Sequence, residues 1–189
     1  ERFPHLEVRD CNEAIWDLRR IKTPAEIEVQ RRAGRIGALA MIEVLKAARP
    51  GMMEYELSAL FEYACKREGA EEMAFDVIIS SAENHPYLHY AAHNRRLVDG
   101  DFVVLDAGPA LNDYDVDITI SFPVNGTFTP RQRQIYEACL EASKACLSLY
   151  RPGVSGYDVG EKARAALSGK GFDLAKDAFA ALRFFREGG

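Results

Sequence analysis

The chain has 189 residues, of which 48% are hydrophobic and 28% charged. This composition is typical of one globular domain with a sizeable core and argues against disorder. The formal net charge is −5 and the basic residues occur in scattered pairs, so we expect no nucleic-acid partner. Apolar stretches are far shorter than twenty residues and no export leader is visible, so we expect a cytoplasmic protein without a membrane partner.

Two amphipathic helices are predicted first. Residues 23–26, Thr-Pro-Ala-Glu, form a capping box with proline at the first helical position, and the helix should stop at Arg-Pro-Gly, residues 49–51. A second helix is predicted for residues 54–67, ending before Gly69. Its apolar positions recur with the helical period and should be buried: Leu57, Leu60, Phe61 and Ala64.

Strands are predicted to follow the second helix. Residues 75–80 are rich in β-branched and aromatic side chains, and residues 87–90 resemble a short second strand. Residues 103–108 and 114–123 then form a hairpin, with turn residues supplied by 108–113.

Two acids of this hairpin are candidate metal ligands. Pairing about the turn would bring Asp106 near Asp117, and the alternation of apolar and polar residues in the second strand directs Asp117 away from the apolar face. Adjacent carboxylates repel unless one is protonated or a cation lies between them, and their oxygens suit hard divalent ions. The alternative is that both acids are polar residues on the solvated face of an antiparallel hairpin.

The pattern of the first half then begins again. Residues 129–132, Thr-Pro-Arg-Gln, form another capping box before a helix in which Cys139 and Cys146 should both face the core. The Arg-Pro-Gly of residues 49–51 recurs 102 residues later at 151–153. We therefore expect two copies of one helix-helix-sheet unit, the second reaching only the start of its first strand at residues 179–185.

Three segments together resemble a known family: Leu88-His89-Tyr90, residues 99–108 and residues 117–129. They are similar to the pita-bread metallopeptidases, specifically the Xaa-Pro dipeptidase and aminopeptidase P branch, and the likeness extends from about Ile21 to Gly171. The resemblance implies an α+β pita-bread fold with two pseudo-symmetric halves. It also implies that residues 1–22 end a linker from an absent N-terminal domain, and that 23–189 form a catalytic domain truncated before the second half-site.

The resemblance implies roles for individual residues. Family members hold two divalent metal ions with two aspartates from the first half and with one histidine and two glutamates from the second. Asp106 and Asp117 match the aspartates, and His89 matches a histidine that donates toward the substrate and the developing oxyanion. No histidine follows His93, so the remaining ligands are missing. A carboxylate-rich site suits manganese, with zinc or cobalt as chemically plausible alternatives.

The implied function is hydrolysis of the peptide bond before proline by a longer parent protein, with a small peptide carrying proline in second position as substrate. We expect the parent to be a homodimer and the 189-residue chain to be inactive. Ile120 stands where aminopeptidase P relatives usually carry arginine, which favours the dipeptidase branch or an aberrant member of the family. The alternative function is that of a non-catalytic, peptidase-like binding module.

Other polar residues have simpler interpretations. Without the family motif, His89 would be interpreted as a core histidine. Pro86 argues against a helix through His85 and His93, so both are predicted to be loop residues, with His93 near the pocket. Arg95 and its neighbour Arg96 are predicted to form a solvated turn.

Overall fold

A computed structural model describes residue 5 and residues 9–168 of the chain. The described part contains five α-helices, six short strands and one turn of 3₁₀ helix. Their bounds are α1 Asn12–Arg20, α2 Pro24–Ala47, α3 Glu54–Arg67, β1 Glu72–Met73, β2 Ile78–Ser81, the 3₁₀ turn Ala82–Asn84, β3 Phe102–Ala107, β4 Pro109–Leu111, β5 Tyr114–Asp115, β6 Ile118–Pro123, α4 Pro130–Leu147 and α5 Gly156–Leu167.

Helices α2 and α3 form one layer of the molecule. The predicted capping box starts α2, because Glu26 N donates to Thr23 Oγ1 at 3.4 Å and Thr23 N donates to Glu26 Oε2 at 2.6 Å. Gly51, with φ of 94°, reverses the chain between the helices. The buried face of α3 then packs with that of α2, each large apolar side chain contributing about 1.5–3 kcal/mol. The buried apolar residues are Ala33, Ile36, Ala40, Met41, Val44, Leu57, Phe61, Ala64 and Cys65.

Two three-stranded antiparallel sheets form the other layer, with strand orders β2-β3-β6 and β1-β4-β5. In β3, alternate side chains are buried against the helices. In β6, Ile118, Ile120 and Phe122 pack against the same core. The opposite face therefore carries Asp106 of β3 and Thr119 and Ser121 of β6, as the predicted alternation requires.

The hairpin differs from its prediction in two respects. Residues 109–111 form strand β4 rather than turn, and the turn contains only Asn112 and Asp113, whose φ values are 51° and 61°. Two left-handed residues match the right-handed twist of the flanking strands. The predicted strand 114–123 is also interrupted after Asp115, at the point where the Val116 carbonyl lies close to the backbone of Gly108.

The strand predicted for residues 87–90 is wrong. This segment forms turns, and Tyr87 and Leu88 are 66% and 67% exposed. Strand propensity reflects how well a side chain fits a half-buried pleated surface, and this segment has no such surface to pack on. The strand predicted for 75–80 is observed as β2, displaced toward the C-terminus to Ile78–Ser81.

Helices α4 and α5 repeat the pattern of α2 and α3. A capping box at Thr129 starts α4, and Gly153 has the same left-handed conformation as Gly51, with φ of 89°. The two helices pack through Ala138, Ala142, Ala163 and Leu167. The prediction that both helix cysteines face the core is wrong for Cys139, which is exposed, because the smaller alanines form the contact face. Residues 179–185 lie outside the described part.

Helix α1 lies in the region predicted to be a linker, and it buries no side chain. Trp16 and Leu18 are 62% and 81% exposed. None of the helices in the described residues is long and apolar enough to span a membrane.

Candidate functional site

Asp106 and Asp117 converge on the polar face of the sheet, although not through the pairing predicted from the sequence. Strand β3 places Asp106 opposite Thr119 of β6, and Asp117 lies just before that strand begins. The Thr119 hydroxyl donates to Asp106 Oδ1 at 2.7 Å. Asp106 is half-buried and Asp117 is exposed.

The electrostatics of this pair show that the two carboxyl groups interact. Partial loss of hydration beside the protein raises the pKa of Asp117, and the charge of Asp106 and a hydrogen bond with Asp106 raise it further. Two carboxylates at short range repel when both are ionised, so one retains its proton more strongly. A divalent cation between them would remove the same repulsion.

The donor set suits a hard divalent ion but supplies only part of a coordination shell. Asp106 and Asp117 offer carboxylate oxygens, which magnesium, manganese and calcium prefer. Within residues 9–168 no group of three or more histidine, cysteine, aspartate or glutamate side chains is placed to hold a metal. These two residues therefore fit one side of a metal site.

His89 lies in the loop between the 3₁₀ turn and β3. Its φ is 55°, a left-handed conformation that costs free energy for a residue with a Cβ. The side chain is exposed. The structure thus places His89 in a strained surface loop rather than on the strand that the sequence predicted.

His93 lies in the same loop and lines an open cavity of about 450 Å³. Its Nε2 accepts a hydrogen bond from Ile79 N at 3.2 Å, and its ring packs edge-on against Tyr90 with centroids 6.0 Å apart. The cavity also exposes polar groups from α3 and from the segment before β2, including Glu62 and Asp76.

His85 attaches the beginning of this loop to the sheet. Its ring nitrogens lie 3.2 Å from Ser80 Oγ and 3.0 Å from the Phe102 carbonyl oxygen. Burial among these groups lowers the pKa of the His85 imidazole. The prediction that His85 and His93 are loop residues is confirmed.

Sequence reasoning missed one charged residue beside this loop. Glu54, at the first position of α3, is fully buried and accepts hydrogen bonds from Ser81, Asn84 and the Arg95 amide. The helical spacing could have predicted that Glu54 is buried, because it shares a helix face with Leu57 and other buried residues of α3.

Arg95 is also not the solvated turn residue that was predicted. Its side chain is 17% exposed and forms ion pairs with Asp101 and Glu83. Arg96 is exposed, and its guanidinium donates to the Gly51 carbonyl at 2.6 Å.

Comparison with known proteins identifies the family whose members share this sequence. The model of metallopeptidase family M24 matches residues 28–187. A Xaa-Pro aminopeptidase of Escherichia coli is 42% identical over 161 residues, covering 85% of this chain and 36% of the relative. A human Xaa-Pro dipeptidase is 39% identical over 155 residues, covering 79% of this chain and 30% of the relative.

Solved structures agree with the sequence relatives. A putative aminopeptidase P from Bacillus anthracis has a TM-score of 0.84 at 36% identity, covering 89% of this chain and 40% of that one. An Escherichia coli aminopeptidase P variant in complex with substrate has a TM-score of 0.83 at 37% identity, covering 94% and 41%. A zinc-substituted form of the Escherichia coli enzyme has a TM-score of 0.79 at 38% identity, covering 89% and 40%.

These likenesses confirm the α+β pita-bread fold and the family predicted from the sequence. Aminopeptidases and dipeptidases both match, so the relatives do not separate the two branches. The chain spans about a third of the length of the curated relatives and about two-fifths of the structural neighbours.

Proposed function

Because the chain belongs to metallopeptidase family M24, we propose that its parent protein uses divalent metal ions to hydrolyse the peptide bond that precedes proline. One observation carries this proposal: Asp106, and Asp117 two residues before its cross-strand partner Thr119, lie on the polar face of a sheet whose other face is core. Likeness to Xaa-Pro aminopeptidases and dipeptidases supports the substrate class.

In this proposal Asp106 and Asp117 each contribute carboxylate oxygens to a pair of divalent ions. Thr119, which donates to Asp106, leaves the other oxygen of that carboxylate for a metal. Bound ions would supply Lewis-acid activation of a water and of the scissile carbonyl. Manganese suits the carboxylate-rich donor set, and zinc or cobalt could replace it.

His89 would act on the substrate rather than on the metal. An imidazole N–H can donate to the oxygen on which negative charge develops, and such a donor lowers the barrier because the bond strengthens in the transition state. His93 and its cavity would receive part of a small peptide with proline in second position. A cytoplasmic homodimer without a nucleic-acid or membrane partner remains the expected setting.

A second function is favoured by one observation, the lack of a third metal-ligating side chain near the aspartates in the described part. A peptidase-like fold could then serve only to bind peptides or proteins. The sequence of the full-length protein separates the two functions. One histidine and two glutamates in strands beyond Gly189 support the enzyme, and their absence supports the binding module.

The activity test uses the full-length protein with a Xaa-Pro dipeptide and a longer Xaa-Pro peptide, assayed with manganese and after chelation. We expect metal-dependent cleavage, which Asp106→Asn or Asp117→Asn should abolish. His89→Ala should lower kcat with the metal content intact. Asp115→Asn is the matched control, since Asp115 is an exposed acid of the same hairpin outside the proposed site. Failure to cleave either peptide would exclude the enzyme.

The 189-residue chain by itself should be inactive and should bind divalent metal only weakly. Hard cations need about six or more oxygen ligands, so with two aspartates most ligands would still be water. Little free energy is then gained over hydration. Elemental analysis of the purified chain measures this, and stoichiometric, tightly held metal would contradict it.

A further inference from the structure

Among the described residues, the hydrogen bonds of the buried Glu54 carboxylate are with the segment that carries His89. Its side chain has no exposed surface, and a buried charge is costly unless it is hydrogen-bonded. The three donors are Ser81 Oγ at 2.6 Å, Asn84 Nδ2 at 3.2 Å and the Arg95 amide at 3.2 Å. All three lie within residues 81–95, two near its start and one at its end.

The backbone at the start of α3 holds the same segment. Glu54 N donates to the Arg95 carbonyl at 3.0 Å, and Tyr55 N donates to the His93 carbonyl at 3.1 Å. The first amides of a helix have no partner within the helix, so these carbonyls satisfy donors that would otherwise need water. The N-terminus of α3 thus holds both ends of residues 81–95, and we call this segment the loop.

The closed segment is under backbone strain. Ala82, His89 and His93 have φ values of 46°, 55° and 44°. Residues with a Cβ adopt this left-handed conformation at a free-energy cost, which persists only where surrounding contacts impose it. The contacts with Glu54 join the two ends of the segment in which all three strained residues lie.

Arg95 adds a second connection between the two ends of the loop. Arg95, whose amide binds Glu54, also donates from its guanidinium to Ser81 Oγ at 3.1 Å and pairs with Asp101. Tyr90, next to His89, has its pKa raised by burial and additionally by the Glu54 charge. The carboxylate therefore acts on the middle of the loop as well as on its ends.

We propose that Glu54 is a positioning residue, which holds the loop of residues 81–95 in the strained conformation that presents His89 and His93. Glu54 itself contacts neither substrate nor metal. Its catalytic consequence rests on the proposed peptidase function, whereas its effect on the loop does not.

The test compares Glu54→Gln with Glu56→Gln in the full-length protein. Glu56 is the matched control because it is an exposed glutamate of the same helical turn, and its carboxylate accepts a hydrogen bond from Met53 N rather than from the loop. Amide hydrogen exchange is measured by mass spectrometry, and kcat and KM are measured with a Xaa-Pro peptide. Weakening the buried hydrogen bonds of this side chain should speed exchange across residues 82–94 about tenfold or more. The control should leave this exchange unchanged.

The kinetic readout should show that kcat falls while KM and metal content change little, because the loop presents a group that acts in the transition state. If Glu54→Gln does not fold, Asn84→Ala removes one partner without altering the buried carboxylate and should also speed exchange in residues 82–94. Equal exchange in the Glu54→Gln and Glu56→Gln proteins, or in Asn84→Ala and wild type, would overturn the proposal. Faster exchange in a protein without Xaa-Pro activity would support the positioning role and refute only the peptidase function.

Discussion

Replacing Gly108 by alanine is expected to be the most damaging small substitution near the site. An ideal Cβ at this position would lie 1.5 Å from the Val116 carbonyl oxygen and 2.4 Å from its carbon. Non-bonded carbon and oxygen approach to about 3.3 Å, so the two backbones would have to separate by roughly 1.8 Å. Asp117 follows Val116 directly, and the same movement would displace its carboxylate from Asp106.

The loss of unfolding free energy caused by Gly108→Ala should reach the upper part of the range that is typical of overpacked cores. Overpacking typically costs about 1–3 kcal/mol, and here the obstacle is backbone rather than a flexible side chain, so we expect a loss of about 3 kcal/mol or more. Domains of this size have total stabilities of about 5–15 kcal/mol. The substitution should therefore remove a large fraction of the free energy of unfolding.

Urea unfolding followed by far-ultraviolet circular dichroism measures this loss. Gly34→Ala is the control, because nothing lies within 4 Å of a Cβ at that position of α2. There alanine should stabilise the helix by about 0.5–1 kcal/mol. A Gly108→Ala protein within about 0.5 kcal/mol of wild type, the range of neutral surface changes, would refute the close approach of these two backbones.

Three further outcomes are expected. Leu105→Ala should cost about 2–5 kcal/mol in urea unfolding, because Leu105 is fully buried in β3. Asp101→Asn should lower the melting temperature more than a surface change does, since the Arg95 guanidinium loses its pair with a largely buried carboxylate and keeps the pair with exposed Glu83. The hydrogen bond from Tyr114, with capping contacts, lowers the pKa of Glu26 to about 2. The stability contributed by Glu26 is therefore present above its ordinary pKa and lost as pH falls toward 2, and Glu26→Gln should flatten this acid limb of a melting-temperature profile.

The sequence alone determined helices α2 to α5, the recurrence of the helix pair and the face on which the two aspartates lie, whereas α1 lies where a linker was expected. These features depend on neighbouring residues: a capping box needs two positions three apart, and strand alternation needs only the next residue. Glu54–Arg67 was therefore predicted at its observed bounds. The family likeness rests on the same short segments, and the likeness to solved structures confirms the fold that it implied.

Only the tertiary structure decided the exact register and the loop that carries His89. Asp106 pairs with Thr119 rather than with Asp117, because the turn contains only Asn112 and Asp113, and the register that it sets in β4-β5 continues unchanged into β3-β6. Turn geometry sets register, and a shift of one residue would exchange the two faces.

The burial of Glu54 likewise depends on partners 27 to 41 residues away along the chain. The helical spacing of the sequence places an acid on the apolar face of α3, but it does not show which hydrogen-bond donors the carboxylate will meet. The left-handed conformations in residues 81–95 cost free energy locally, so hydrogen bonds to distant parts of the chain must stabilise them. They therefore depend on the packing of α3 and β2 against this loop.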